Sequence, residues 1–477
     1  MLRCCRCRLR KCLAFTFVIF CASVCILFSV LQSFDDQDFY WDDGANGFQQ
    51  QFQLFDHVDY GGELISKNGT DQHDSNNVNV SGMDIKVPIL LWWTPFTGER
   101  GKVKTCGADH CFFTVDRHFR DHPKTKAFLF YGTDFRPRDL PLPRKKHHEW
   151  ALLHEESPKN NYVLSHGECL TLFNHTATFK RESDFPITTQ YLEKLSDLTS
   201  TKYLVPTQLK STGGLAPLVY VHSDCDPPSD RDRYVKELMK YIPIDSYGQC
   251  LHNKDLPPEL VDPLTMHSEG LYKILAQYKF NLAFENAICN DYITEKLWRP
   301  LVLGSVPVYR GSPSVRDWLP DNQSAVIADD FSSPKELATY LNRLVSNNIE
   351  YDKYLNFKKV GVANRRLIQT MEARKWGVNN DNLPNFIDEF ECFVCARVHE
   401  NLKRAALRLS LKTFQASEDH YNCPRPRAYN NLQSFWSPIE LYLQMYDRDK
   451  KKAKALRKLV QAGREFSLKE FRELASE

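Results

Sequence analysis

Short apolar runs recur along the chain from residue 86. Val87–Trp92, Ala127–Tyr131, Leu170–Phe173, Pro217–Val221, Phe280–Phe284, Val306–Tyr309 and Ala325–Ala328 each suit a strand buried on both faces of a parallel sheet. Helical spacing lies between several of them. Within Asp230–Tyr241, Tyr234, Val235, Leu238 and Tyr241 share one face. Ser333-Pro-Lys-Glu336 is a capping box with proline at the first helical position, and it predicts a helix running to about Leu344. Strands alternating with helices predict an α/β fold with parallel sheets. The runs fall into two sets, 86–214 and 215–375, joined at Ser211-Thr-Gly-Gly214, so two Rossmann-like domains are expected. An extension over 376–477 carries Cys392-Phe-Val-Cys395 and the charged run DRDKKKAKALRK at 447–458, which reads as a solvated helix face.

Upstream the pattern is different. Leu13–Leu31 carries no charge and is long enough for about 28 Å of helix, close to a bilayer core. Arg3, Arg6, Arg8, Arg10 and Lys11 precede it, so residues 1–12 are expected in the cytosol and the rest in the lumen. A cleaved signal peptide is the competing reading, but its apolar stretch is usually shorter, and no small-x-small site precedes Phe34. The expectation is a single-pass type II signal anchor in the Golgi membrane, with the endoplasmic reticulum as the alternative. Residues 32–85, rich in Asp, Asn, Gln, Gly and Ser, read as a flexible stem. Four N-x-S/T triplets, at Asn68, Asn79, Asn174 and Asn322, are glycosylation candidates consistent with that topology.

Composition narrows the chemistry. A net charge of +2 over 477 residues gives no bulk attraction to nucleic acid. Cys4, Cys5, Cys7, Cys12, Cys21 and Cys25 lie in or before the apolar segment, which leaves nine cysteines beyond it. Oxidising conditions favour pairing them, and an odd number leaves at least one out. A zinc site at Cys392 and Cys395 would need a second CxxC, and Cys106-x4-Cys111 is a poor partner for it. Structural disulfides are expected instead, with Cys106, Cys111, Cys392 and Cys395 as candidates.

The densest polar stretch is FENAICNDYITEKLWRP, Phe284–Pro300. Phe280–Phe284 is a strand, Glu285–Asp291 the turn after it, and Asp291 a cap for a helix starting near Tyr292. That places Tyr292, Glu295 and Lys296 in or near the first turn, where the helix N-terminus and a lysine favour a phosphate-bearing ligand. An ordinary helix start with surface charges is the competing reading. Neither GxxxxGK[ST] nor GxGxxG is present. A second candidate follows Pro217–Val221. Arg231 opens the next helix and suits a diphosphate, while Asp224-Cys-Asp226 raises a divalent-metal reading.

Three ordered stretches resemble the family ten α1,3-fucosyltransferases. FNLAFENAICNDYITEKLWRPLVLGSVPVYRGSPSVRDWLP, over 280–320, resembles the family's central motif. Glu156-Ser-Pro158, Phe173-Asn174-His-Thr176 and Lys180-Arg-Glu-Ser-Asp184 resemble a second block. Ser223 to Arg231 resembles a third, with Asp224 where asparagine is usual. LFYGTDF and HHEWALLHEESPKNN, at 129–135 and 147–161, are similar to the divergent animal branch numbered ten and eleven.

The resemblance implies a two-domain GT-B fold, GDP-fucose as donor, inversion at the anomeric carbon, and neither a metal nor a cofactor. By the same match Glu156 is the general base. Adjacent carboxylates of an extended segment face opposite ways, so only one of Glu155 and Glu156 reaches a cleft. Arg231, Lys296 and Tyr292 are expected to meet the leaving diphosphate, Glu295 to bind sugar hydroxyls, and Tyr247 to line the nucleotide. Glu285 and Asn286 hold the turn or touch the donor. Pro300 departs from an ideal helix and removes one backbone bond. Residues 86–165 depart most from the Lewis-type members, which leaves the acceptor open. The expected reaction is α1,3 transfer to GlcNAc of a glycoprotein glycan. Transfer to Ser or Thr of a folded luminal domain is the alternative, and a catalytically silent binding protein the lesser one.

Overall fold

The computed structural model describes residues 85–96, 101–378, 382–429 and 438–476. The expected tail, anchor, Asn68 and Asn79, and all but the last residue of the stem, lie outside them. Among the described residues, no helix is long and apolar enough to cross a membrane.

Seven strands build the first sheet: β1 (Ile89–Thr94), β2 (Lys102–Cys106), β3 (Asp109–Thr114), β4 (Thr125–Tyr131), β5 (Glu149–His154), β6 (His175–Thr178) and β7 (Phe185–Pro186). Their order is β2-β3-β1-β4-β5-β6-β7, and only the β2–β3 pair is antiparallel. Five strands build the second: β8 (Leu218–Tyr220), β9 (Ile244–Ser246), β10 (Phe280–Phe284), β11 (Val306–Arg310) and β12 (Val326–Ile327). These run parallel throughout, in the order β12-β11-β10-β8-β9. The α/β class with parallel sheets is therefore as the apolar runs predict. β1 and β10 are buried along their whole length, as a strand covered on both faces must be.

One predicted strand is absent. Leu170–Phe173 closes a short Gly167–Leu170 helix and a turn, and the strand begins two residues later at His175. A four-residue apolar run cannot distinguish strand from helix end. The strand itself reads HTAT, and its threonines are buried because each hydroxyl has a partner: Thr176 meets His420 Nδ1 at 2.7 Å, and Thr178 donates to the His420 carbonyl. Five other strands, β2, β3, β5, β7 and β9, lie outside the predicted set. β2 is an edge strand with Lys102 and Val103 exposed and Lys104 turned to Glu391 and Asp388, so its sequence carries no apolar run.

The strand order of the second sheet reverses between β8 and β10, and the loops beyond their carboxyl ends meet there, where the Ser229 amide donates to the Asn286 carbonyl. The helix after β10 runs Glu295–Leu303 and buries Leu297, Trp298 and Leu301 against the sheet. Pro300 stands inside it, as the sequence shows, and Gly304 ends it at φ +69°. The Pro334–Ser346 helix starts where the capping box predicts, with Ser333 Oγ accepting from the Glu336 amide.

The C-terminal part returns to the first sheet. The Phe386–Ala406 helix lays Phe390, Val394 and Val398 on the face formed by Leu90, Trp92, Ala127 and Leu129. Cys106–Cys392 and Cys111–Cys395 fasten it, so the CxxC cysteines pair with the hairpin and not with each other. Cys225–Cys250 and Cys289–Cys423 are the other pairs among the described residues, where buried Cys169 is the one left over. Cys111, Cys395 and His399 lie close enough to suggest metal ligands, but both sulfurs are bonded to each other. The charged run at 447–458 is not wholly solvated. It lies in the Pro438–Gln461 helix and buries Asp449, Ala453, Ala455 and Leu456 against the first sheet's side of the molecule.

Candidate active site

Beyond β5 the chain turns through Glu155 and Glu156. Glu155 is buried, and its Oε1 accepts from Tyr131 OH at 2.9 Å. Burial, reinforced by neighbouring Glu156, pushes its carboxyl well above the ordinary range. Glu156, in the bend that follows β5, stays partly exposed. Burial raises its carboxyl too; Lys296 opposes that shift and Glu295 reinforces it. The carboxylate at the end of β5 is thus within electrostatic reach of the helix that follows β10. Its backbone carbonyl accepts from Tyr421 OH at 2.8 Å.

On the second sheet, Glu285 ends β10 fully buried and accepts from both the amide and hydroxyl of Thr294, at 2.8 and 2.7 Å. Burial lifts it to about 7 against the pull of Lys296, whose Nζ stands 3.9 Å away. A Cβ on Gly311 would fall 2.5 Å from Glu285 Cγ, so glycine there lets β11 and the carboxylate pack. Thr294, not Asp291, caps the helix, which starts at Glu295 and leaves Tyr292 before it. Asp291 sits instead at φ +65° with its carboxylate held by Arg181 Nε at 2.7 Å and Trp318 Nε1 at 2.9 Å. Both residues are good caps in sequence; the long-range partners decide between them.

Lys296 Nζ donates to Glu295 Oε1 at 2.9 Å and to Thr294 Oγ1 at 3.2 Å. Burial works against a charge on Glu295, but Lys296 and Arg299 override it and hold the carboxyl down to about 2. Nε and Nη2 of Arg299 are buried with no hydrogen-bond partner. Sequence reasoning missed this cation, although its i,i+4 spacing from Glu295 was visible.

Arg231 opens the Arg231–Leu238 helix, as expected, but is almost wholly buried. Its Nη1 donates to the Phe284 carbonyl at 3.1 Å and its Nη2 to the Asp224 carbonyl at 2.7 Å, stitching the β8 loop to the end of β10. Nε is left without a partner. The Asp224 carboxylate is paired with Lys159 from the first sheet's side, which accounts for this acid without a metal. Tyr247 turns its hydroxyl inward to Tyr278 OH at 2.7 Å, so only its ring is left to line a ligand. At Gly248 a Cβ would meet the His222 carbonyl at 2.1 Å; the close approach of these two loops requires glycine. Asn286 gives its carbonyl to the Ser229 amide at 3.0 Å, and its side-chain Oδ1 is buried and unpartnered. Glu156, Lys296, Glu295 and the Arg231 junction therefore gather where the two sheets' loops meet. A separate cavity of 1110 Å³, lined by Lys102, Trp318, Arg374 and Trp376 among others, includes none of them.

Asn174, the third glycosylation candidate, is tied into the fold by its side chain. Its Oδ1 accepts from the Trp150 amide at 2.7 Å and from Arg144, and its Nδ2 donates to the Phe414 carbonyl at 2.8 Å. The side chain is a structural tie that uses one of the two Nδ2 hydrogens. Asn322 lies on an exposed turn.

Two family models match along the chain. The one described as "Fucosyltransferase, N-terminal" covers residues 85–191, and "Glycosyltransferase family 10 (fucosyltransferase) C-term" covers 216–413. The chain belongs to glycosyltransferase family 10. The matched spans contain every strand of both sheets and end before residue 414. Among curated relatives, "GDP-fucose protein O-fucosyltransferase 3" of Homo sapiens is 54% identical over 391 residues, 80% of this chain and 82% of that protein. The proteins of that name from Gallus gallus and Danio rerio are 55% and 52% identical, over 80% and 83% of this chain and 82% and 87% of theirs. A crystal structure of an α1,3-fucosyltransferase with GDP-fucose aligns with a TM-score of 0.40 at 16% identity, over 66% of this chain and 90% of that one.

Proposed function

We propose that this glycosyltransferase is an inverting, GDP-fucose-dependent protein O-fucosyltransferase that modifies Ser or Thr of folded luminal domains. The observation that carries it is the placement of Glu156, from the first sheet, within the field of Lys296 and Glu295 from the second. The relatives' names favour a protein acceptor over the glycan GlcNAc that the family resemblance suggests first.

The chemistry follows from the residues. The acceptor hydroxyl oxygen attacks fucose C1 from the face opposite GDP. As that bond forms, the bond from C1 to the β-phosphate oxygen breaks, and Glu156 takes the hydroxyl proton. Negative charge gathering on GDP is met by Lys296, by Arg299 and by the unpartnered Nε of Arg231. Glu295, held ionised, accepts from sugar hydroxyls. Tyr247 and Tyr292 offer ring faces, and Glu285 and Asn286 keep the turn in shape. In this reading 86–214 and 215–375 are the two lobes of a GT-B enzyme. Residues 13–31 anchor it in the Golgi or endoplasmic reticulum membrane with the catalytic part in the lumen.

The deciding experiment incubates detergent-solubilised full-length protein with labelled GDP-fucose and two acceptor sets, folded secreted domains and free N-glycans. Label should appear on Ser or Thr of a folded domain and vanish with Glu156→Gln. Label on the glycans alone would restore the GlcNAc reading, and failure to bind GDP-fucose by calorimetry would remove the donor assignment.

A further inference from the structure

Residues 414–429 lie beyond the family-wide match, yet they run from one sheet to the other directly beneath the proposed base. The segment starts on the first sheet's side, where Asn174 Nδ2 donates to the Phe414 carbonyl and the Ala416 amide donates to the Phe173 carbonyl at 2.9 Å. It ends on the second. Cys423 is bonded to Cys289 in the 285–291 turn, and the Tyr429 amide donates to Asp230 Oδ2 at 3.1 Å. Midway, Tyr421 is fully buried and donates its hydroxyl to the Glu156 carbonyl at 2.8 Å. Its ring packs on Phe179, with centroids 5.2 Å apart, and Phe179 packs on Tyr292 at 5.1 Å.

Resting on the reading of Glu156 as base, we propose that Tyr421 is a positioning residue for that base and that 414–429 is a strap belonging to the catalytic centre. The hydroxyl fixes the peptide that carries the carboxylate. The disulfide fixes the strap to the turn that presents Tyr292 and Lys296. One segment thereby sets the distance between base and donor, which a transfer reaction needs held to a fraction of an ångström. Tyr421 touches no reacting atom in this arrangement; it acts through Glu156.

Tyr421→Phe keeps the ring and removes only the hydroxyl. In full-length protein it should lower kcat on the order of tenfold, the scale of one lost hydrogen bond, with KM for GDP-fucose unchanged. In a Glu156→Gln background the same change should add no further loss, whereas a merely structural role would give additive losses. Replacing Cys289 and Cys423 together by alanine should likewise lower kcat more than it raises KM. Wild-type kcat in Tyr421→Phe, or full additivity with Glu156→Gln, overturns the proposal while leaving Glu156 as base. Full activity in Glu156→Gln alone overturns the base assignment itself. Should the alanine pair fail to fold, the Tyr421→Phe cycle decides.

Discussion

Arg181 and Asp291 join the two sheets' loops. From beyond β6, Arg181 places Nε 2.7 Å from Asp291 Oδ2 and Nη1 2.7 Å from Asp317 Oδ2, while the Asp291 side chain is 1% exposed. Burial disfavours the Asp291 charge, but Arg181, Ser314 and Trp318 outweigh it and leave the carboxyl below its usual range.

Removing one partner of such a pair strands the other. Arg181→Met should cost about 3–5 kcal/mol in urea unfolding, and adding Asp291→Asn should recover part of it. The pH dependence has a definite sign. A depressed folded pKa means the contribution is present above the unfolded value and is lost as pH falls through the folded one, so wild type and the double variant should converge in strong acid.

Glu156 must be ionised to take a proton. Burial raises its carboxyl, so kcat should fall with acid from a midpoint above the ordinary carboxylate range. Lys296 opposes the shift and Glu295 adds to it. Lys296→Met should therefore move this limb to higher pH and Glu295→Gln to lower pH, read from pH profiles at saturating donor. Movement of either limb in the opposite sense would remove Glu156 as the titrating group.

Lys210 is a buried cation at a helix end. Its Nζ donates to the Ala276 carbonyl at the close of the Glu269–Leu275 helix, a favourable place for positive charge, yet burial pulls its pKa down to about 7. Below that value the folded state must carry the buried charge; above the unfolded value near 10.5 neither state does. Stability relative to Lys210→Met should thus decline as pH falls from about 10 to 7 and then level off, measured as the difference in unfolding midpoints.

The two described sequons should differ in what their side chains contribute to stability. Asn174→Gln should cost about 1–3 kcal/mol, because the Trp150 amide and Phe414 carbonyl lose their partner. Asn322→Gln should remove one glycan from the detergent-solubilised full-length protein and leave the melting temperature within a degree or two, as surface changes do. Mass spectrometry with thermal melts checks both.

Local rules were enough for part of this architecture. The β10 and β11 strands and the Ser333 cap follow from spacing over a few residues. What escaped depends on distant partners. The cap choice between Asp291 and Thr294 turns on Arg181, 110 residues upstream, and on Glu285. Tyr247 looked free until Tyr278 engaged its hydroxyl. Tyr421 lies 265 residues from the carbonyl it serves, and no spacing rule connects them. The solvated face read at 447–458 is present in exposed Lys450, Lys451, Lys454 and Lys458, but charge count hides the alanines and leucine that form the helix's inner stripe.

The Phe386–Ala406 helix has a consequence for synthesis of the chain. The hairpin that holds Cys106 and Cys111 precedes its disulfide partners by 286 and 284 residues. At roughly 5–20 residues per second, a ribosome takes on the order of tens of seconds to make that span. Through this interval the nascent first sheet has Trp92, Leu90 and Leu129 uncovered. Its two thiols are free to join each other, a pairing the finished fold does not contain. Chaperones that shield apolar surface and isomerases that reverse premature disulfides are thus part of what this topology demands of the compartment in which it is made.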